Sequence, residues 1–224
     1  MIGLFGGTFD PIHFGHLRPA LDVMEALGLQ QIRWIPAHRP PHRGAPRLTA
    51  AQRAEMVTIA IADQPGFVMD DCELRRHEPS YTVDTLMTMR TRYGAELPLV
   101  LLLGSDAFAG LPDWSRWQSI LDLAHIVVMQ RPGETFDRQK FPAGFFTGMT
   151  TKDPADLQKL PAGKLFEISV TQLDISATDI RQRLKKGQSV RYLLPEPLVD
   201  YLDIHQQIFK ENLACHSQGR VNKP

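Results

Sequence analysis

The chain has 224 residues, 43% hydrophobic and 22% charged, which suits one domain of ordinary size with a real core and leaves two full domains cramped. Lysine plus arginine total 25 and aspartate plus glutamate total 25, a zero formal charge that speaks against a non-specific nucleic-acid binder. Two cysteines, Cys72 and Cys215, cannot build a disulfide framework or a Cys-based zinc site; with no signal-like N-terminus and no 18-residue apolar run, the expectation is a cytoplasmic protein with no membrane partner.

Met1–Phe5 reads as a strand that runs straight into a glycine pair. Leu17, Ala20, Leu21, Met24 and Leu27 then recur at helical spacing, with Gly28 as the stop. Gln31–Ile35 is the second strand. A second helix begins at Thr49, where Thr49 and Gln52 form a capping-box pair ahead of Met56, Val57, Ala60 and Ile61. Phe67–Glu73 is the third strand, and a helix from Thr82 to Tyr93 ends at Gly94. Leu97–Leu103 follows; its Leu99–Leu103 portion is apolar on both faces, as a central parallel strand must be. His125–Gln130 and Lys164–Val170 complete the strands. Residues 132–163 lack periodicity and read as an irregular excursion. One helix follows Ser176 and stops at Gly187, another runs from Pro195 to about Phe209, and residues 210–224 read as a flexible polar tail. Alternating strands and helices predict an α/β, doubly wound, Rossmann-like sheet, mostly parallel, with a C-terminal helical segment and one domain over residues 1–209.

In such folds, ligands sit beyond the carboxyl ends of the strands, where a helix N-terminus offers unpaired N–H groups. The first strand leads into Gly6-Gly7-Thr8-Phe9-Asp10-Pro11-Ile12-His13-Phe14-Gly15-His16. Gly6 and Gly7 let a ligand lie against bare backbone, and Thr8 adds a hydroxyl. His13 and His16 flank Gly15 at the start of a helix, so two imidazoles can donate to an anion there, shifting toward the charged form as they do. A tight turn with two capping histidines is the plain alternative. No P-loop and no G-x-G-x-x-G follows the strand, which removes P-loop NTPases and the dinucleotide dehydrogenases.

The run GGTFDPIHFGH resembles the signature of the HxGH nucleotidyltransferase superfamily, and Ile175-Ser176-Ala177-Thr178-Asp179-Ile180-Arg181 resembles its second signature, ISxTxIR. Physics agrees on the second run: Ser176 is a natural N-cap, and Thr178 and Arg181 add donors at another helix N-terminus. The resemblance implies that Gly6, Gly7, Thr8, Phe9, His13, His16, Ser176, Thr178 and Arg181 bind ATP, with His13, His16 and Arg181 acting in catalysis. Arg131, in Gln130-Arg131-Pro132-Gly133, would line the same pocket.

From Ala26 to Ala54 there is no acidic residue, yet Arg33, Arg39, Arg43, Arg47, Arg53, His38 and His42 all occur, a pattern that suggests an anionic ligand. Arg47 and Arg53 are read as solvated. Pro40-Pro41-His42-Arg43 is similar to the acceptor-facing loop of bacterial nicotinate mononucleotide adenylyltransferases. That likeness places His42, Arg43, Thr82, Asp106, Trp114 and Ser115 at the acceptor mononucleotide, with Trp114 stacked on the pyridine ring and backbone donors at Thr82 and Ser115 holding its carboxylate. Trp117 is read as the core tryptophan of the pair. The implied reaction is adenylyl transfer from ATP to nicotinate mononucleotide with release of pyrophosphate, in NAD biosynthesis. Mg²⁺ would be held through the ATP phosphates with no assured protein ligand, although Asp106 is the best-placed carboxylate for the metal or its waters. The partners are these small molecules, not nucleic acid, and an oligomer is compatible with the reading. The sibling activities use nicotinamide mononucleotide or phosphopantetheine as acceptor. Two other classes stand against it: a metal-dependent hydrolase using His13, His16, His38 and His42, and a nucleotide sensor without turnover.

Overall fold

The computed structural model describes residues 1–40, 46–76, 78–130 and 140–205. Its strands are β1 (Ile2–Gly7), β2 (Gln31–Pro36), β3 (Phe67–Met69), β4 (Leu99–Gly104), β5 (His125–Gln130), β6 (Thr150–Thr151) and β7 (Leu165–Ser169). They form one sheet in the order β3-β2-β1-β4-β5-β7-β6, with every pairing parallel. The helices are α1 (Phe14–Leu27), α2 (Ala50–Ile61), α3 (Thr82–Tyr93), α4 (Ser105–Ala109), α5 (Ile120–Leu123), α6 (Asp156–Lys159), α7 (Ala177–Lys185) and α8 (Glu196–Ile204).

Local chemistry sets these boundaries. Gly28 ends α1 at φ 60°, a left-handed position that side chains rarely tolerate. The Thr49 side chain accepts from the Gln52 N–H at 3.2 Å and the Gln52 side chain accepts from the Thr49 N–H at 3.0 Å, so the capping box at α2 is reciprocal. The third strand is shorter than expected. The carboxylate of buried Asp70 accepts the Cys72 N–H at 3.1 Å, which turns the chain out of the sheet right after Met69. The fourth strand starts at Leu99, because Pro98 has no N–H to give the ladder. The described part of the excursion adds what periodicity could not show: edge strand β6, short helix α6, and the buried side chains Phe141, Phe146 and Leu157.

A core lies on each face. Side chains alternate along β4, with Leu99, Leu101 and Leu103 packing with Leu86, Met89 and Phe108 on one side and Val100 and Leu102 packing toward α1, α2 and α8 on the other. Trp114 and Trp117 are both half-buried against this core, and the Trp117 ring centroid lies 4.6 Å from that of Phe145. The chain moves from β1 outward through β2 to β3, then crosses to β4 on the other side of β1. β1 pairs with β4 only from Ile2 to Leu4, while Phe5–Gly7 stay with β2 and Leu102–Gly104 stay with β5. The two central strands therefore part at their carboxyl ends, which opens a crevice at the topological switch point.

Far from that crevice, Arg90 closes the amino edge. Its guanidinium donates to the carbonyls of Leu123 (2.7 Å), Leu97 (2.6 Å) and Pro161 (2.6 Å), joining the end of α3 to the segments before β4 and β7. Arg90→Ala removes these three hydrogen bonds and leaves the Leu123 and Leu97 carbonyls without their guanidinium donor, the Pro161 carbonyl keeping the Leu99 N–H; it is expected to lower the unfolding free energy by about 2–3 kcal/mol, read by urea denaturation, with kcat per folded molecule unchanged.

Candidate active site

The crevice has a bare floor. A Cβ built on Gly6 or on Gly104, at the two parting strand ends, would meet nothing within 4 Å, so both backbones face open space that a side chain would fill. Gly7 has the opposite reason for being glycine: a Cβ there would lie 2.7 Å from the Phe9 ring. Phe9 is 2% exposed and packs edge-on against Phe5 and His16, so its side chain props the turn from beneath and only its backbone faces a ligand.

His13 is the N-cap of α1 in extended backbone. Its N–H donates to Nδ1 of His16 at 3.3 Å. With Nδ1 accepting, the proton of neutral His16 sits on Nε2, which makes that atom a donor. The two imidazoles lie face to face with centroids 3.8 Å apart. Burial pushes the His13 pKa down to about 4, so the ring is neutral at pH 7 and stays neutral well into acid. Burial thus takes His13 well below the ordinary imidazole value. Its Nδ1 is buried with no partner among the described residues, a cost of the kind carried at functional sites. Gly15 makes this stack possible, since a Cβ there would sit 2.9 Å from His13 Nδ1 and 3.1 Å from the Ile175 carbonyl oxygen.

That last contact shows where the second signature goes. Ser176 caps α7, its Oγ accepting the Asp179 N–H at 3.1 Å. Arg181 donates from Nη1 to the Asp10 carbonyl at 2.6 Å and from Nη2 to Thr178 Oγ1 at 3.1 Å, and its Nη1 lies 3.7 Å from the Asp10 carboxylate. Two helix N-termini from opposite ends of the chain are thus fastened together, with the hydroxyl-bearing Ser176 and Thr178 exposed beside them.

On the other flank, Thr82 opens α3 and Ser80 precedes it. Ser80 Oγ accepts the N–H groups of His38 (3.0 Å) and Arg39 (3.2 Å), which ties the end of β2 to α3. Below them Glu73, 6% exposed, accepts from Thr85 Oγ1 at 2.6 Å; burial raises its pKa. Arg116 reaches Asp84 at 2.7 Å, holding the segment of half-buried Trp114 and Ser115 near the start of α3. Asp106 is exposed in the first turn of α4, directly after Gly104. His42, Arg43 and Arg131 lie outside the described residues.

Two residues escaped the sequence reading. Asp10, 7% exposed, accepts from the backbone N–H groups of Arg47 (2.9 Å) and Leu48 (3.3 Å) as well as facing Arg181. Arg53, expected to be solvated, is 1% exposed and spends its guanidinium on three backbone carbonyls. Arg33 also turns inward, 3.7 Å from buried Asp70 and over the Tyr93 ring. The acid-free window is therefore partly internal scaffolding. A signal for Arg53 existed in its setting: it falls at the helical spacing of Met56 and Val57, on the buried side of α2.

A family model described as cytidylyltransferase-like matches residues 4–183. A protein of Dechloromonas aromatica named "Probable nicotinate-nucleotide adenylyltransferase" is 49% identical over 91% of this chain and 95% of its own length. A protein of Halorhodospira halophila with the same name is 52% identical over 87% of this chain and 89% of its own. Among solved structures, Plasmodium falciparum nicotinic acid mononucleotide adenylyltransferase, complexed with NaAD, superposes with a TM-score of 0.66 at 19% identity, covering 93% of this chain and 96% of that one.

The depressed His13 pKa has a consequence for stability. Between pH 6.5 and about 4 the unfolded chain binds a proton that the folded ring refuses, so stability falls as pH falls through that window and levels below it. From pH 7 to about pH 4.5 the wild type should lose about 2.5 kcal/mol more unfolding free energy than His13→Asn, measured by urea denaturation. The variant keeps a slope of the same sign from His125, whose pKa burial also lowers.

Proposed function

This chain belongs to the cytidylyltransferase-like family and, within it, to the nicotinate-nucleotide adenylyltransferases, and we propose that its crevice transfers the adenylyl group of ATP to nicotinate mononucleotide, releasing pyrophosphate. The observation that carries this reading is the fastening of two helix N-termini, one bearing His13 and His16 and the other Ser176 and Thr178, through Arg181 and Asp10 at the open ends of β1 and β4. Both ends present N–H dipoles to one space, which favours a polyanion.

In the reaction, an oxygen of the 5′-phosphate of nicotinate mononucleotide attacks the α-phosphorus of ATP, and the bond to the β-phosphate bridging oxygen breaks as pyrophosphate leaves. The nucleophile is already an anion, so the protein needs no base. It must hold two anions together against their repulsion and stabilise charge on the departing pyrophosphate. His16 Nε2–H, the Ser176 and Thr178 hydroxyls and Arg181 are the donors for that charge, and bare Gly6 lets the phosphates approach the backbone. A divalent cation, Mg²⁺ in our reading, supplies further charge neutralisation on the triphosphate. Asp106, exposed in the first turn of α4, is the carboxylate we assign to that cation's waters. His38 Nδ1 is committed to the Arg76 carbonyl at 2.7 Å, which weighs against His38 as a ligand in the metal-dependent hydrolase reading. No described helix is long and apolar enough to cross a membrane.

Pyrophosphate release from ATP with each acceptor in turn tests the assignment. Nicotinate mononucleotide should exceed nicotinamide mononucleotide by roughly a hundredfold in kcat/KM, because N–H donors that hold a carboxylate mismatch an amide's NH₂ at about 1–3 kcal/mol per group. Trp114→Ala should weaken both while leaving their ratio nearly unchanged, since a ring face does not read the substituent. Equal use of the two acceptors, or release with phosphopantetheine alone, would overturn the nicotinate assignment. Absence of release with all of them would leave the nucleotide sensor. His16→Ala should cut kcat by about 10²-fold or more with acceptor affinity retained, and near-normal kcat would reduce His16 to a capping role.

A further inference from the structure

Arg53 is a fully buried cation on α2 whose three guanidinium nitrogens reach three different loops. Nη1 donates to the Thr8 carbonyl at 2.7 Å, Nη2 to the Ala37 carbonyl at 2.6 Å and Nε to the Leu48 carbonyl at 3.3 Å. Thr8 lies in the turn after β1. Ala37 follows β2 and leads into His38 and Arg39, the pair held by Ser80; Leu48 leads into the cap of α2. The charge is balanced across space by the Asp10 and Glu73 carboxylates. Asp10 returns to the same loops, accepting from Arg47 and Leu48 and holding Arg181.

Burying a guanidinium is costly, and an apolar side chain would fill the place more cheaply if packing were the only need. A planar fork does what an apolar side chain cannot: it fixes the spacing of carbonyls on separate loops. On the proposed reading, Thr8 sits on the nucleotide side and the Ala37–Arg39 backbone on the acceptor side, so one rigid group spans both. Ordering either loop by a ligand then removes part of the ordering cost for the other. We propose that Arg53 is a positioning residue that couples the ATP-side turn to the acceptor side, so that binding of either substrate strengthens binding of the other. This rests on the adenylyltransferase reading given above.

Calorimetry measures the coupling without turnover. The Kd of nicotinate mononucleotide is determined with and without saturating α,β-methylene-ATP, in the wild type and in Arg53→Lys, which keeps the charge that balances Asp10 and Glu73 but replaces the fork with a single ammonium. The wild type should show coupling of about fivefold or more, and Arg53→Lys should bring the ratio close to one, with kcat falling about tenfold and each Kd measured alone changing far less. A purely structural Arg53 would lower Tm and the folded fraction but leave the coupling ratio of the folded molecules unchanged; that result overturns the proposal, as does a wild type without coupling. Should Arg53→Lys not fold, hydrogen exchange on the wild type decides. α,β-Methylene-ATP alone should protect the amides of Ala37–Arg39 and Arg47–Thr49 along with those of residues 7–16, and protection confined to 7–16 overturns the proposal. Failure of the adenylyltransferase reading shows separately, as absent pyrophosphate release by the wild type with either pyridine mononucleotide.

Discussion

The buried Asp10 is the tie on which the site depends. Its carboxylate takes the N–H groups of Arg47 and Leu48 ahead of α2, and its carbonyl and carboxylate face the Arg181 guanidinium from α7. One residue thereby joins the turn after β1, the segment before α2 and a helix 171 positions away in sequence. Without that tie, α1 and α7 would still form, since His13, Ser176 and Gly28 set their ends locally. Their N-termini would not face the same space. An anion site built from helix dipoles works only while the dipoles converge, because their effect fades beyond the first turn.

On the proposed reading, the groups around the crevice are set as donors for a triphosphate. His13 is held neutral by burial, His16 is set as an Nε2 donor by the His13 N–H, and Arg181 is already engaged with Asp10. Stacking two imidazoles 3.8 Å apart would be unfavourable if both were charged, and burial prevents it. Such donors do not have to reorganise when charge develops on a leaving pyrophosphate, which is where preorganised groups gain their advantage over water. The glycines complete the arrangement in two ways. Gly6 leaves space for the ligand, whereas Gly7 and Gly15 leave space for Phe9 and His13, which shape the turn.

What could be read from the residues was whatever is local. The stop at Gly28, the Thr49–Gln52 box and the two-faced apolar run of β4 depend on neighbours within a few positions, and each stands as expected. Both signatures could be seen in the sequence, and the fold brings them together. Elements fixed by distant partners could not be seen. β3 stops early because Asp70 turns toward Cys72 and is buried among Arg33 and Arg92. Phe141 and Phe146 enter the core from turns without period, stacking around Phe108. Arg53 looked like one more charge in a basic window because composition does not say which carbonyls a guanidinium will meet. The proposed roles of His42, Arg43 and Arg131 rest on likeness alone, since those residues lie outside the described ones.

The central claim is that the site acts by holding two anions in line between donors, with no side chain bonded covalently to the adenylyl group. Cys72 is buried with its pKa pushed up to about 12, which removes it as a nucleophile, and the imidazoles are assigned as donors. Stereochemistry at the α-phosphorus tests this most directly. With ATP made chiral there by sulfur substitution, a single in-line displacement by nicotinate mononucleotide inverts the configuration in the dinucleotide product. Inversion is the expected result; retention would mean two displacements through an adenylyl-enzyme and would contradict the claim.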